Sequence, residues 1–259
     1  MLMLYFSATG NSKYIAELFS RQMGGKCHSI EERLDFEGLI TSSEVIGFCY
    51  PIYASRVPRN LREFTAKYTE SLKGKKVVIF CTQMVFSGDG ARAFTELLPR
   101  KAFEVIYAEH FIMPNNVPNF FLTPLARKDK VLKYFANAEQ KMRLICSDIK
   151  AGIVRKRGFN IFSRILGLPQ AAAFPLLERI ARKTVKVNSE CDKCGVCVSA
   201  CPMNNLAVEN DRLVHKHNCV ICYRCVNQCP QKAITVVFHG KVKKQYKGMI
   251  GRGGSYAAP

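Results

Sequence analysis

The chain has 259 residues, 48% of them hydrophobic, and its 39 Lys and Arg exceed its 20 Asp and Glu to give a formal net charge of +19. This length and apolar content suffice for two domains with a sizeable core. No run approaches the ~18 uninterrupted apolar residues of a membrane span. Residues 1–6 are apolar but lack the positively charged start of a secretory signal, so we expect a first strand and no cleavable leader.

A loop rich in hydroxyl groups, residues 7–12, follows this strand and precedes a helical pattern. Side-chain O–H groups and free backbone N–H groups at a helix start can bind one anion, and the helix dipole favours a phosphate there. The chain has no Gly-x-Gly-x-x-Gly motif and no lysine-bearing P-loop, so a monophosphate is favoured over a dinucleotide or a triphosphate. An ordinary capped helix is the alternative.

Further strands alternate with helical stretches, and we predict them near residues 25–29, 45–50, 77–82 and 103–111. Alternating β and α units predict an α/β fold with a five-stranded, doubly wound parallel sheet. Ligands of such sheets bind at the carboxyl ends of the strands, near the switch point. A helical pattern over residues 129–151 closes this first domain, which we assign to residues 1–150.

Three loops at that edge resemble the flavin loops of flavodoxins. Ser7, Thr9, Gly10, Asn11 and Ser12 match the Ser/Thr-x-Thr-Gly-Asn-Ser/Thr pattern around the FMN phosphate in that family, and residues 50–58 and 82–90 resemble its second and third loops. The resemblance implies an FMN site, and the residues it assigns to that site are Ser7, Thr9, Gly10, Asn11, Ser12, Pro51, Ile52, Tyr53, Ala54, Phe86, Ser87 and Gly88.

Tyr53 and Phe86 are the candidate partners of the flavin ring, because a flavin needs flat apolar neighbours. Core packing or loop anchoring is the alternative for each. The chain departs from flavodoxins in two ways, since it has no tryptophan and is basic where flavodoxins are usually acidic.

A basic connector, residues 151–186, follows the first domain. Residues 151–187 contain eight Lys and Arg but one acid, Glu178. Apolar residues at helical spacing predict two short amphipathic pieces, separated by Pro169 and Pro175. Three interpretations stay open: packing against the protein's own domains, contact with an anionic partner protein, or contact with a membrane surface.

Eight of the twelve cysteines form two copies of one spacing within residues 187–240. The copies are Cys191-x2-Cys194-x2-Cys197-x3-Cys201-Pro202 and Cys219-x2-Cys222-x2-Cys225-x3-Cys229-Pro230. Bacterial two-cluster ferredoxins hold [4Fe–4S] clusters with this spacing, and the fourth cysteine of each run ligates the other cluster. On this pattern cluster I takes Cys191, Cys194, Cys197 and Cys229, and cluster II takes Cys219, Cys222, Cys225 and Cys201.

Zinc is the competing ligand for paired cysteines. A zinc ribbon needs two Cys-x2-Cys pairs, however, and has no use for the third cysteine, the fourth cysteine with its proline, or the complete repeat. The spacing therefore favours iron–sulfur clusters.

The tail, residues 241–259, holds five basic residues and no acid, and it contains several glycines. We predict that it is mobile. The connector and the tail together supply +12 of the formal charge of +19.

The whole chain resembles the flavodoxin–ferredoxin fusion proteins of anaerobic bacteria and archaea, over residues 1–150 and 187–238. The resemblance implies an electron-transfer protein with FMN and two [4Fe–4S] clusters. A cluster moves one electron and a flavin one or two, so the pair converts between one-electron and two-electron chemistry. Thiolates that hold iron must stay reduced, so we expect a cytoplasmic location.

Two functions follow from this composition. The first is a carrier that couples a low-potential one-electron donor to a partner reductase, with the basic connector steering an acidic redox partner, either a ferredoxin or the reductase. The second is a self-contained, flavin-dependent reductase of a small molecule. The flavin loops hold one acid, Asp89, which suits a turn, so the carrier is favoured. Nucleic-acid binding is disfavoured, because the basic residues lack interleaved aromatics and a recognised motif.

Overall fold

A computed structural model describes residues 1–86, 88–99, 102–120 and 122–248. The strands are β1 (Leu2–Tyr5), β2 (Lys26–Ser29), β3 (Val45–Pro51), β4 (Lys76–Gln83), β5 (Glu104–Ile112), β6 (Arg155–Lys156), β7 (Lys186–Val187), β8 (Leu206–Glu209), β9 (Arg212–His215) and β10 (Ile234–Thr235). The helices are α1 (Asn11–Met23), α2 (Phe36–Thr41), α3 (Arg59–Lys67), α4 (Gly90–Thr95), α5 (Lys128–Lys150), α6 (Ile161–Ala181), α7 (Val196–Ser199) and α8 (Arg224–Gln228).

The first six strands form one parallel sheet within the described residues, in the order β2-β1-β3-β4-β5-β6. β1 pairs with both β2 and β3, so the direction of winding reverses there. The predicted doubly wound parallel sheet is confirmed. The sheet has six strands where five were predicted, because the connector adds β6, and β6 pairs with β5. Sequence patterns could not predict β6, because two exposed residues show no hydrophobic period.

Both faces of the sheet are buried, as a parallel sheet requires. Successive side chains of β1 point to opposite faces. Leu2 and Leu4 join a core shared with α2, α3 and α4. Met3 and Tyr5 join a second core shared with α1 and α5. This burial fixes where β1 ends, and with it the position of the loop at residues 7–12.

The connector forms one helix, α6, with both prolines inside it. The prediction of two separate pieces was wrong. Pro175 lacks the N–H that would bond to the carbonyl of Ala171. That carbonyl instead accepts a hydrogen bond from Arg56 Nε at 2.7 Å. A side chain of the first domain therefore compensates for the break that the proline would cause.

Two further contacts hold α6 against the first domain. Arg62 Nη2 donates to both carboxylate oxygens of Glu178, at 3.1 and 2.9 Å, and Glu178 is buried. Gly167 lies against Gly88 and Asp89, so close that a Cβ on Gly167 would lie 2.0 Å from Asp89 Oδ1. The first of the three interpretations of the connector, packing on its own protein, thus holds for one face of α6.

Residues 186–240 form a cysteine-rich unit of two antiparallel strand pairs, β7 with β10 and β8 with β9. The short helices α7 and α8 carry Cys197 and Cys225, the third cysteine of each repeat. Cysteines and small apolar residues form the core of this unit. The repeat in the sequence is therefore also a repeat in the structure.

The tail is packed over residues 241–248, so the prediction of mobility was wrong there. Val242 and Tyr246 are buried. The backbone N–H of Tyr246 donates to Asn227 Oδ1 at 2.7 Å, and its hydroxyl donates to Asn11 Oδ1 at 2.5 Å. Glycine and lysine content predicted mobility, but these two apolar side chains anchor the segment. Residues 249–259 lie outside the described residues.

Among the helices that the structure describes, none combines the length and the apolar character needed to cross a bilayer.

Gly167→Ala is expected to lower the free energy of unfolding by about 1–3 kcal/mol, the usual cost of overpacking. The added methyl would meet the carboxylate of Asp89 and push α6 away from the first domain. Thermal denaturation of the cofactor-loaded protein measures the effect. Ala173→Ser, on the exposed face of α6, is the control and should change stability by less than about 0.5 kcal/mol. Equal midpoints for both variants would show that α6 is not held at Gly167.

Candidate functional site

The loop between β1 and α1 is shaped to bind an anion. Gly10 has φ of 98°, which side-chain-bearing residues rarely adopt, and it turns the chain directly into α1. Its N–H donates to Ser7 Oγ at 3.1 Å. Thr9 Oγ1 accepts a hydrogen bond from Asn116 Nδ2 at 3.0 Å, which leaves the hydroxyl proton of Thr9 able to donate. The loop thus presents hydroxyl groups beside the positive end of the α1 dipole.

A cavity of about 890 Å³ opens beside this loop. Its volume lies within the range of pockets that bind drug-sized ligands. Eight predicted flavin-site residues line it, namely Ser7, Thr9, Asn11, Ser12, Pro51, Ile52, Tyr53 and Ala54. Among the described residues that line it, none carries a formal charge. The cavity therefore suits a ligand with a large uncharged body and one anionic group at the loop.

The polar groups of the cavity fit a flavin. Tyr53 Oη and Gln83 Oε1 are buried and have no hydrogen-bond partner within the described part of the chain. Burial raises the pKa of the Tyr53 hydroxyl well above its ordinary value, and the nearby Cys222 raises it further. The hydroxyl therefore stays protonated and can donate. A flat ring with polar atoms at its edge would satisfy both side chains and lie against the ring of Tyr53.

Three predicted site residues do not line this cavity. Gly10 turns the loop backbone into α1 without lining the cavity. Phe86 is 51% exposed and points elsewhere, and Gly88 packs against Gly167 of α6. Ser87 lies outside the described residues. The third loop is thus divided: Thr82, Gln83 and Met84 line the cavity, whereas Gly88 lies against α6, which no local pattern in the sequence indicates.

Sequence reasoning missed much of the cavity wall. The loop after β5 contributes Met113, Pro114, Asn115, Asn116 and Val117. Its position at the carboxyl edge of the sheet was the signal that could have identified it. The remaining wall comes from α6 and the cysteine-rich unit, through Phe174, Leu177, Ile180, Ala181, Ile221, Tyr223, Val237 and Phe238. Their contribution depends on how the units dock, which their own sequences do not encode locally.

The eight repeat cysteines surround two separate small cavities. Cys191, Cys194, Cys197 and Cys229 line one, and Cys201, Cys219, Cys222 and Cys225 line the other. These are the two sets named from the spacing, each completed by a cysteine of the other repeat. Among described residues, no three His, Cys, Asp or Glu side chains are placed to hold a single metal ion. Four thiols around one cavity fit the four corners of a [4Fe–4S] cluster.

The pKa of Cys197 reflects the same grouping of the cysteines. Burial raises the pKa of Cys197 to about 11, and the neighbouring Cys229, Cys191 and Cys194 raise it as well. Backbone N–H groups would stabilise the negative charge of thiolates there. Asn205 N–H donates to Cys201 Sγ at 3.3 Å. Corresponding bonds of 3.3 Å reach Cys219 Sγ and Cys229 Sγ.

Arg224 joins the cysteine-rich unit to the first loop. It lies between Cys222 and Cys225 in the sequence and is 5% exposed. Its guanidinium donates to the carbonyls of Ser7, Ala8 and Ala200 at 2.8, 3.1 and 3.0 Å. It also donates to both oxygens of Glu31, at 2.9 and 2.7 Å. Burial alone would lower its pKa, but the bond to Glu31 and the nearby Cys222 raise the pKa above its ordinary value.

An apolar cluster surrounds this contact. Phe6 and Ala8 of the first loop pack with Val220 and Cys222, and Tyr53 covers the cluster. The second set of cysteines therefore lies directly beside the cavity. Ile221 and Tyr223, which flank Cys222, line the cavity itself.

Comparison with known proteins agrees with both units. Residues 2–165 match the family model of the flavodoxin domain, and residues 184–206 match that of the 4Fe-4S binding domain. A ferredoxin of Methanothermococcus thermolithotrophicus is 41% identical over 46 residues, which are 17% of this chain and 77% of that protein.

Two solved flavodoxins are also similar. The two-electron reduced flavodoxin of Megasphaera elsdenii has 21% identity and a TM-score of 0.40, over 54% of this chain and 99% of its own. Oxidised Flavodoxin 2 of Bacillus cereus has 20% identity and a TM-score of 0.37, over 56% of this chain and 97% of its own.

Paired cysteine substitutions test the crossed grouping. Wild type is expected to hold about eight iron and eight sulfide after anaerobic reconstitution. Cys201→Ala/Cys219→Ala should keep about half of the iron and sulfide, because both changes remove ligands from the same set. Cys201→Ala/Cys191→Ala should keep almost none, because each set loses a ligand. Iron and sulfide analysis measures both. If each repeat instead held its own cluster, the two double variants would exchange results.

Proposed function

Because the chain belongs to the flavodoxin domain family and joins that domain to a ferredoxin-type 4Fe–4S domain, it is an electron-transfer flavin and iron–sulfur protein, and we propose that it carries electrons between two [4Fe–4S] clusters and one FMN. When bound, each cluster would exchange one electron and the flavin one or two. The chain would therefore couple a one-electron donor to a two-electron acceptor.

One observation carries this proposal. Ile221 and Tyr223 line the large cavity, and Cys222 between them belongs to the second cysteine set. Cys222 also packs in one cluster with Phe6 and Tyr53 at the flavin loops. The residues that would hold a cluster and those that would hold a flavin thus share side-chain contacts. Arg224 fixes their distance, because its bonds to the first loop leave little freedom between the units.

The exposure of the cysteines indicates where electrons enter. Cys194, in the first set, is exposed, whereas Cys222 and Cys225 of the second set are buried. A partner protein can therefore approach the first set closely. Cys222 of the second set packs with Tyr53, which lines the cavity, so we propose that electrons pass from the first set through the second to the flavin.

The chemistry of the cavity favours a carrier over a reductase. Reduction of a small molecule is typically accelerated by a side chain that donates a proton near neutral pH. The described lining offers hydroxyl and amide side chains without a carboxylate, imidazole or amine. Burial raises the pKa of Tyr53 and of Tyr223 well above the ordinary value, so both are weak proton donors. The lining suits holding and shielding a flavin.

We propose an acidic redox protein as the partner, and the tail is its best-placed docking segment. Gln245 Nε2 donates to the carbonyl of Cys229 at 2.7 Å, so the tail lies against the first cysteine set. Lys243 and Lys244 are exposed there. In the connector, by contrast, Arg155 and Arg157 pair with Asp148 and Glu109 at 3.0 and 3.3 Å, which offsets their charge.

Thr9→Val is expected to weaken FMN binding by about 1–2 kcal/mol, roughly 5- to 30-fold, because it removes one hydroxyl donor to the phosphate. Thr9→Ser keeps the hydroxyl and should bind within about threefold of wild type. Titration of the flavin-free protein with FMN, followed by fluorescence quenching, gives both affinities. Release of FAD from the denatured wild type, or unchanged FMN affinity in Thr9→Val, would count against the assignment.

Lys243→Glu/Lys244→Glu is expected to slow flavin reduction by a low-potential, acidic ferredoxin on the order of tenfold at low salt. The difference should shrink as salt rises from about 0.1 M to about 1 M, because the Debye length falls from about 10 to about 3 Å. Stopped-flow absorbance across a salt series measures it.

Lys128→Glu/Lys133→Glu on α5 is the charge-matched control. It should leave that rate nearly unchanged, and dithionite should reduce all three proteins alike, because a small reductant needs no docking surface. A rate that changes neither with salt nor with either pair of substitutions would show that the tail is not the docking segment.

A further inference from the structure

The outer face of α6 exposes an unusual number of large apolar side chains. Gly167, Phe174, Glu178 and Ala181 are buried against the protein. The opposite side carries six large apolar residues that do not line the flavin cavity, each more than half exposed: Ile161, Phe162, Ile165, Leu166, Leu168 and Leu176. Phe162 is 75% exposed. Contiguous exposed apolar surface of this kind marks a contact site.

The helix cannot rotate to bury these residues. Arg56 holds its middle through the carbonyl of Ala171, and Arg62 holds its carboxyl end through Glu178. Gly167 fixes its amino-terminal half against Gly88. Three separate anchors along the helix therefore keep the outer face turned to the surroundings.

The neighbouring loop extends the apolar surface. Val85 and Phe86 are 66% and 51% exposed. Gly88, two residues farther on, touches Gly167 and the carbonyl of Ser163. This loop therefore lies beside the amino-terminal half of α6. Phe86 does not line the flavin cavity, and its exposed ring extends this outer surface instead.

The exposed charged side chains of α6 are all positive. Glu178 is the one acid of α6 in the sequence, and it is buried in its pair with Arg62. Arg164, Arg179 and Lys183 are exposed along or just beyond the helix. Exposed apolar side chains bordered by Arg and Lys are typical of helices that lie in the interface of an anionic bilayer.

We propose that the outer face of α6 docks the protein on an anionic lipid surface. These six residues span 16 positions, from Ile161 to Leu176, a length of about 24 Å. Exposed side chains along a helix can each enter the headgroup region, whereas a protein partner would need a matching apolar groove bordered by acidic side chains. The Arg and Lys side chains would lie among lipid phosphates. The contact is peripheral, because the buried side of α6 stays bound to the protein.

Vesicle binding tests this proposal directly. The cofactor-loaded protein is expected to sediment with vesicles of phosphatidylcholine and phosphatidylglycerol and far less with phosphatidylcholine alone. Salt should weaken the binding, because it screens the Arg and Lys contacts. Phe162→Ser/Leu166→Ser should lower the partition coefficient at least about tenfold, since neither residue lines the flavin cavity and both would enter the lipid. Arg164→Gln/Arg179→Gln should lower it on the order of tenfold.

Two control variants are matched to these changes. Leu132→Ser/Leu144→Ser alters two equally exposed leucines of α5, and Lys128→Gln/Lys133→Gln removes the same charge there. Both should stay within about twofold of wild type. Flavin and iron absorbance should be the same in all variants, which shows that each is folded and loaded.

Three results would overturn the proposal. One is equal partition of wild type into both kinds of vesicle. The second is an equal loss of binding in the test and control variants. The third is a dimer of wild type in solution that Phe162→Ser/Leu166→Ser dissociates without any lipid binding, which would assign the outer face to a second copy of the chain.

Discussion

The arrangement of the molecule depends on one buried cation, Arg224. Removing a guanidinium from water is costly, and it is tolerated only where every donor finds an acceptor. Here the acceptors come from Glu31, from the backbone of the first loop and from Ala200 in the cysteine-rich unit. Loss of one member of such a buried pair typically costs about 3–5 kcal/mol. The two units are therefore joined by an interaction that neither could satisfy alone.

The cavity follows from that junction. Its loop side belongs to the parallel sheet, while its far wall comes from α6 and from Ile221 and Tyr223. A flavodoxin-type sheet by itself would leave that side open to water. Closing it with uncharged side chains shields a bound ring and brings it beside the second cysteine set.

Local patterns in the sequence predicted local structure well. The alternation of β and α units gave the sheet, and the cysteine spacing identified the two sets that the structure brings together. Patterns failed where a distant residue decides the outcome. Pro175 predicts a helix break, but Arg56 lies 119 positions earlier in the chain and satisfies the freed carbonyl of Ala171. Phe86 resembles a ring partner in sequence, yet it does not line the cavity, and Gly88 two residues later lies against α6.

The bond between Tyr246 and Asn11 has a consequence for synthesis of the protein. The two residues are 235 positions apart. At about 5–20 residues per second, the ribosome adds Tyr246 roughly 10–50 s after Asn11. The amino-terminal sheet can form during that interval, but Asn11 in the first loop lacks its contact with Tyr246 until that residue has been synthesised. The first loop is thus expected to reach its final form only after Tyr246 has been added to the chain.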